Sequence, residues 1–198
     1  VVLSTGASTL QEIDIALNTL KNSGCQDIAL LHCILNYPTP FEQAHLRMIK
    51  SLLSTYPEHI IGYSDHTLPD DAMTSLVTAH LLGAVIIEKH FTLDRTLSGP
   101  DHRASLEPDE LKAMVEAIRN IEKALGDGEK KPSPSEIKNI PISRKSIVAK
   151  KPINKGERFT ENNLAVKRPG SGISPMEWDK ILGKKSKQNF NPDDLVVT

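Results

Sequence analysis

Cysteine is scarce in this chain. Cys25 and Cys33 are the only two, and a single pair cannot build the disulfide framework of a small secreted fold. A reducing cytoplasm is the simplest setting for such a sequence. No apolar run approaches the roughly 20 residues that span a bilayer, and no basic segment followed by an apolar one marks a secretory signal. Charge of neither sign dominates: the net value is −1, which gives no bulk electrostatic reason to bind nucleic acid or a membrane surface. Aromatic residues make up only 4% of the chain, but the 38% hydrophobic fraction is that of an ordinary soluble fold rather than a disordered one. Methionine is absent from the first position. The chain opens in the strand-like run Val1-Val2-Leu3, as expected of a piece of a longer protein.

At 198 residues, the chain has room for one larger and one smaller domain by the usual prior of roughly 100–200 residues each. From Val1 to Leu125, short apolar runs alternate with helical patterns. Strands are expected at Val1–Leu3, Ile28–Leu31, Ile60–Tyr63 and Ala84–Glu88. Ser8 and Gln11 have capping-box spacing before Leu10, Ile13, Leu17 and Leu20, and Gly24 stops that helix. Leu46, Ile49, Leu52 and Leu53 mark a second helix. Asp70 or Asp71 is positioned to cap a third, which carries Met73, Leu76, Val77 and His80. Glu107-Pro108-Asp109-Glu110 opens the fourth, with Pro108 at an early position. Four successive βα units imply a parallel sheet covered by helices, either open or as half of an eight-unit barrel. In both cases functional residues belong at the C-terminal strand ends, where Ser4-Thr5-Gly6, His32, Ser64-Asp65-His66 and Lys89-His90 fall.

Residues 127–143 change character and read as a Gly-, Lys-, Pro- and Ser-rich linker. Residues 144–198 carry strand-like runs at Ser146–Ala149 and Leu164–Val166 and a helical segment near Met176–Leu182. A tail of this size is expected to have little core of its own and to lean on a partner surface.

Gly62-Tyr63-Ser64-Asp65-His66-Thr67 and Glu88-Lys89-His90-Phe91-Thr92 are the most informative strings. On neighbouring parallel strands, His66 and His90 converge at one end of the sheet, and two imidazoles there suit a divalent metal with positions left open for substrate. Each could equally pack or cap a strand end, because the spacing matches no short local metal motif. Asp65 and Glu88 either orient the imidazoles as hydrogen-bond acceptors or pair with a lysine or arginine elsewhere. Cys33 follows His32 in a strand, so the two side chains point to opposite faces and Cys33 reads as packing rather than as a nucleophile. The turn-forming string Leu97–Ser105 offers Asp101 and His102 as substrate contacts or is a solvated loop with Ser105 at the helix start. Arg168, in Val166-Lys167-Arg168-Pro169-Gly170, either clamps an anion or is a surface arginine.

Together with Leu3-Ser4-Thr5-Gly6, Leu31-His32-Cys33, Tyr37-Pro38-Thr39-Pro40 and Gly99-Pro100-Asp101-His102, these strings resemble the sialic acid synthase family, from the first residue to the last. The resemblance implies an α/β fold: the C-terminal half of a (β/α)8 TIM barrel over residues 1–126, a linker over 127–143, and a small antifreeze-like (SAF) β-rich domain over 144–198. It implies condensation of phosphoenolpyruvate with an N-acetylated amino sugar, N-acetylmannosamine or a 2,4-diacetamido sugar, with release of phosphate. His66 and His90 become catalytic ligands of Mn²⁺ or another divalent metal. Ser4, Tyr37 and Ser64 line the substrate pocket, Asp101 holds sugar hydroxyls, and Arg168 is lent to the partner's active site in a domain-swapped homodimer. One departure stands out: Leu35 occupies a place where many relatives carry Asn, leaving Asn36 beside it as a candidate.

The chain alone is expected to have little or no activity. Half a barrel leaves two sheet edges and an uncovered core, which favours aggregation unless the remainder or a second copy covers them. Two other readings fit less of the sequence. One is a non-catalytic carbohydrate- or protein-binding module on a degenerate barrel with its SAF-like tail, and the other is a metal-dependent hydrolase needing further ligands upstream.

Overall fold

The computed structural model describes residues 1–198, which divide into two units, Val1–Gly128 and Glu129–Thr198. In the first, strands β1 (Val2–Ser4), β2 (Ala29–Cys33), β3 (Ile60–Asp65) and β4 (Ile86–Lys89) form one parallel sheet in the order β1-β2-β3-β4. The helices α1 (Leu10–Asn22), α2 (Met48–Thr55), α3 (Thr74–Leu81) and α4 (Pro108–Leu125) alternate with them. Each strand extends one or two residues past the end that hydrophobicity sets. Ser4, Cys33, Asp65 and Lys89 therefore belong to the ladder, and His66 and His90 are each the first residue beyond it.

The starts of α1, α3 and α4 are fixed by side-chain acceptors that occupy the free N–H groups. For α1 the capping box is Thr9 with Glu12, not Ser8 with Gln11: Thr9 Oγ1 accepts from the Glu12 amide, and Glu12 Oε2 accepts from the Thr9 amide at 2.8 Å. A carboxylate also suits the positive helix end better than an amide does. Asp70 serves α3 from outside the cap position, accepting from the Thr74 amide at 2.8 Å and its hydroxyl at 2.6 Å, while Met73 takes the left-handed N-cap conformation. Glu107, rather than Ser105, caps α4, with Pro108 opening the helix and Glu110 closing the box; the Ser105 hydroxyl bonds back to the Asp101 carbonyl.

One face of the sheet packs on the helices. Leu30, Ile61 and Tyr63 bury themselves there against Ile13 and Leu17 of α1 and Ile49 and Leu52 of α2. A second cluster, Met73, Leu76, Leu106 and Met114, seats α3 and α4. Gly62 lies on the opposite face between Leu31 and Ile86, where an added methyl would stand 2.7 Å from the Ile86 carbonyl oxygen and 2.3 Å from Leu31 Cδ2. Only glycine lets β2, β3 and β4 approach this closely. No helix is long and apolar enough to cross a membrane.

The second unit begins with the short helices α5 (Pro134–Ile137) and α6 (Ile140–Ser143). An antiparallel ribbon of β5 (Ser146–Ala149) and β6 (Leu164–Lys167) follows, and α7 (Trp178–Ile181) comes after it. Where little core was expected, Ile147, Ile153, Phe159, Leu164, Ile181, Phe190 and Val196 form a buried cluster. The physical reason is chain return: isolated bridges pair Ile153 with Phe190 and Val148 with Leu195, bringing late residues over the ribbon. Asn163 supports the turn before β6, donating to the Arg158 carbonyl and accepting from the Thr160 amide.

Candidate functional site

Strand alternation sorts the polar strand ends into two sets. Register aligns Cys33, Ser64 and Glu88 across β2, β3 and β4 on the face away from the helices. His66 and His90 continue that side. His32 and Tyr63 take the helix face instead, stacked with ring centroids 5.5 Å apart, and the His32 Nε2 sits 2.8 Å from the Ala44 carbonyl oxygen. Burial lowers the His32 pKa, with that hydrogen bond opposing it. His32 and Cys33 therefore diverge, as alternation requires.

His66 and His90 meet edge to face, with centroids 5.1 Å apart. The Tyr37 ring lies over both, 4.0 Å from His66 and 5.8 Å from His90. Ser64 Oγ donates to Glu88 Oε1 at 2.6 Å. Asp101 joins from the loop after β4, its Oδ2 3.9 Å from His90 Nδ1. That loop is pinned where it leaves and returns: the Thr92 amide donates to the Leu106 carbonyl, the Leu106 amide donates to the His90 carbonyl, and Arg95 holds Glu110 at 2.6 Å. His102 Nδ1 lies 2.8 Å from Thr92 Oγ1 within the same loop.

The imidazoles are not oriented by Asp65 or Glu88. The His66 Nδ1 is 2.9 Å from the Ile34 carbonyl oxygen, which can only accept, so Nδ1 carries the proton and Nε2 keeps a free lone pair. Asp65 follows the other reading and pairs with a lysine: Lys89 Nζ is 2.6 Å from its Oδ2, on the helix side of the sheet. Burial lowers the Lys89 pKa, and the Asp65 carboxylate opposes that shift. Cys33 Sγ lies 3.8 Å from His66 Nδ1, and burial pushes its thiol pKa up, so it is a packing neighbour and not an activated nucleophile.

Tyr37, Ser64, His66, His90 and Asp101 thus gather at one end of the sheet. Ser4 occupies the edge strand β1 on the same face, level with Leu31 and Gly62 and one step below the Cys33–Ser64–Glu88 row. Asn36 is exposed in the loop after β2; its amide donates to the Ile34 carbonyl. Arg168 belongs to the second unit, where its Nε donates to the Ser143 carbonyl at 3.0 Å. The Gly170 amide bonds to the Pro141 carbonyl beside it, and a side chain at 170 would collide with Arg144. Sequence reasoning could not reach the Ile34 carbonyl, since every residue offers one. The Ser64–Glu88 bond was within reach, because both residues stand two before a candidate histidine.

As a metal centre, the donor set fits in part: one imidazole has its free Nε2 fixed by a carbonyl on the opposite nitrogen, a common way of preparing such a ligand. No cluster of three His, Cys, Asp or Glu side chains suited to a metal forms in the chain. The chain's contribution would be the two imidazoles.

The family model described as "NeuB family" matches residues 1–130, and the one described as "SAF domain" matches residues 144–198. An N,N'-diacetyllegionaminic acid synthase of Campylobacter jejuni is 51% identical over 99% of the chain and 58% of its own length. The protein of that name from Legionella pneumophila is 40% identical over 99% of the chain and 55% of its own length. Among solved structures, a putative spore coat polysaccharide biosynthesis protein E from Chromobacterium violaceum superposes with a TM-score of 0.73 at 28% identity, covering 99% of this chain and 58% of the other. The chain spans little more than half the length of these relatives. It belongs to the NeuB family, and carries the C-terminal half of that family's TIM-barrel-type fold followed by a SAF domain.

Proposed function

We propose that the whole protein is a nonulosonic acid synthase, condensing phosphoenolpyruvate with an N-acetylated amino sugar and releasing phosphate, and that His66 and His90 hold its divalent metal, Mn²⁺ by preference. The observation that carries this reading is the pairing of two imidazoles beneath Tyr37, with the His66 Nε2 left free by the Ile34 carbonyl. Since the chain covers 58% of the Campylobacter relative, the reaction is assigned to the whole protein and not to these 198 residues.

In the proposed reaction, C3 of phosphoenolpyruvate bonds to the sugar's aldehyde carbon, water adds at C2, and phosphate leaves with C–O cleavage. A bound divalent cation would supply Lewis-acid polarisation of the aldehyde oxygen. The chain's own groups bind and orient. Tyr37 covers the histidine pair and limits access from its side. Asp101, exposed on its pinned loop, is suited to accept hydrogen bonds from sugar hydroxyls. Ser64 and Ser4 offer hydroxyls along the same face. Arg168 is proposed to clamp an anionic group in the active site of the partner of a homodimer, from a loop fixed at Ser143 and Gly170. Relatives named as N,N'-diacetyllegionaminic acid synthases support a 2,4-diacetamido sugar as the acceptor over N-acetylmannosamine.

A panel of both sugars with the full-length protein, phosphoenolpyruvate and Mn²⁺ tests the assignment. Phosphate release with the diacetamido sugar supports it, and release with N-acetylmannosamine alone contradicts the choice of acceptor.

A further inference from the structure

We propose that the buried Asp65–Lys89 ion pair is the positioning device that fixes His66 against His90. Asp65 and Lys89 are register partners at the ends of β3 and β4, each immediately before a site histidine. Their side chains are 1% and 2% exposed and meet at 2.6 Å on the helix side, so neither faces the candidate substrate space. Any effect they have on a ligand passes through the histidines.

The contacts around the pair grip the chain on both sides of His66. Lys89 Nζ donates to the Asp65 carboxylate before it and to the Thr67 carbonyl after it. Asp65 Oδ1 accepts from the Tyr63 hydroxyl at 2.6 Å and the Thr67 amide at 3.1 Å. Its Oδ2 accepts from the Thr67 hydroxyl at 3.1 Å and from Ser75 of α3 at 3.2 Å. One carboxylate thus ties residues 63, 67 and 75 to residue 89, and His66 emerges from the middle of that knot.

Register gives the pair its second effect. A slip of β4 by one residue would turn Lys89 to the opposite face and bury Asp65 without its partner, which the low-dielectric surroundings strongly oppose. The correctly paired register sends residues 66 and 90 out side by side. An apolar pair at these positions would pack as well but would not discriminate between registers.

The proposal rests on reading His66 and His90 as a paired metal site, and its test separates the two ideas. Asp65→Asn with Lys89→Met, made together in the full-length protein, removes both charges and leaves neither buried alone. Two readouts apply: the imidazole nitrogen correlations of the metal-free protein by NMR, and Mn²⁺ affinity by titration. The wild type should show His66 fixed as the Nδ1–H tautomer. In the double variant that signal should average between tautomers, and Mn²⁺ should bind roughly 10- to 100-fold more weakly, the usual effect of losing a ligand's support. A folded double variant that keeps both the fixed tautomer and wild-type affinity overturns the proposal. If the tautomer is lost but the wild type never bound Mn²⁺, the positioning role stands and the metal reading fails. Lys89→Gln, which can still donate to Thr67, gives the same decision if the double variant does not fold: a fixed tautomer with unchanged affinity overturns the proposal, and a shift in both supports it.

Discussion

Ser64 donates its hydroxyl proton to Glu88 across the β3–β4 ladder, at 2.6 Å between register partners. Two residues on, the same strands deliver His66 and His90. The bond holds Ser64 in one rotamer on the face that carries the histidine pair. On the proposed substrate contact, replacing Ser64 by Ala removes a hydrogen bond to a charged ligand, worth about 1.5–3 kcal/mol. In steady-state kinetics the KM for phosphoenolpyruvate should rise by roughly 10- to 100-fold. An unchanged KM removes Ser64 from the substrate site.

Gly62 sits where three strands press together, and Gly62→Ala places a methyl 2.7 Å from the Ile86 carbonyl oxygen. Backbone cannot move aside as a flexible side chain can. Overpacking of this kind costs about 1–3 kcal/mol, which lowers Tm by roughly 2–12 °C in a protein of this size class. Differential scanning calorimetry reads the shift, and a Tm equal to wild type contradicts the packing described for β2, β3 and β4.

Tyr56 is buried and donates to Asp14 at 2.8 Å, and burial with that carboxylate pushes its phenol up to about 12. The folded value lies above the ordinary one near 10, so the phenol's stabilising contribution is complete below pH ~10 and is lost as pH rises toward about 12. Tyr63, buried against Asp65, is raised further still. Alkaline titration of phenolate absorbance should show Tyr56 ionising late and Tyr63 only on unfolding. Tyr56→Phe should flatten the fall in stability across that window. A Tyr56 that ionises near 10 contradicts its burial.

The alternation of apolar and polar residues was enough to locate the four βα units, and parity along Ser64–His66 and Glu88–His90 was enough to place both histidines on one face. Register was not legible. Whether Asp65 met an imidazole or a lysine depended on which residue of β4 lay opposite it, and that pairing is a property of the folded sheet. The His66 orienter was invisible for a different reason, being the backbone carbonyl of Ile34, which carries no residue-type signal. The core of the second unit is larger than its sequence suggests because Ile153 and Phe190 meet only after the chain returns over the ribbon. The capping box of α1 was displaced by one residue because Ser8 and Thr9 both offer hydroxyls, and only the position of Glu12 separates them.

His66 and His90 are proposed to act as one metal site in a phosphoenolpyruvate-dependent synthase. Phosphate release by the full-length protein, measured with and without amino sugar and Mn²⁺ for the wild type and for His66→Ala, tests it most directly. Release is expected only when protein, sugar and metal are all present, with the variant reduced to background. Wild-type rates surviving in His66→Ala with a chelator present would contradict it.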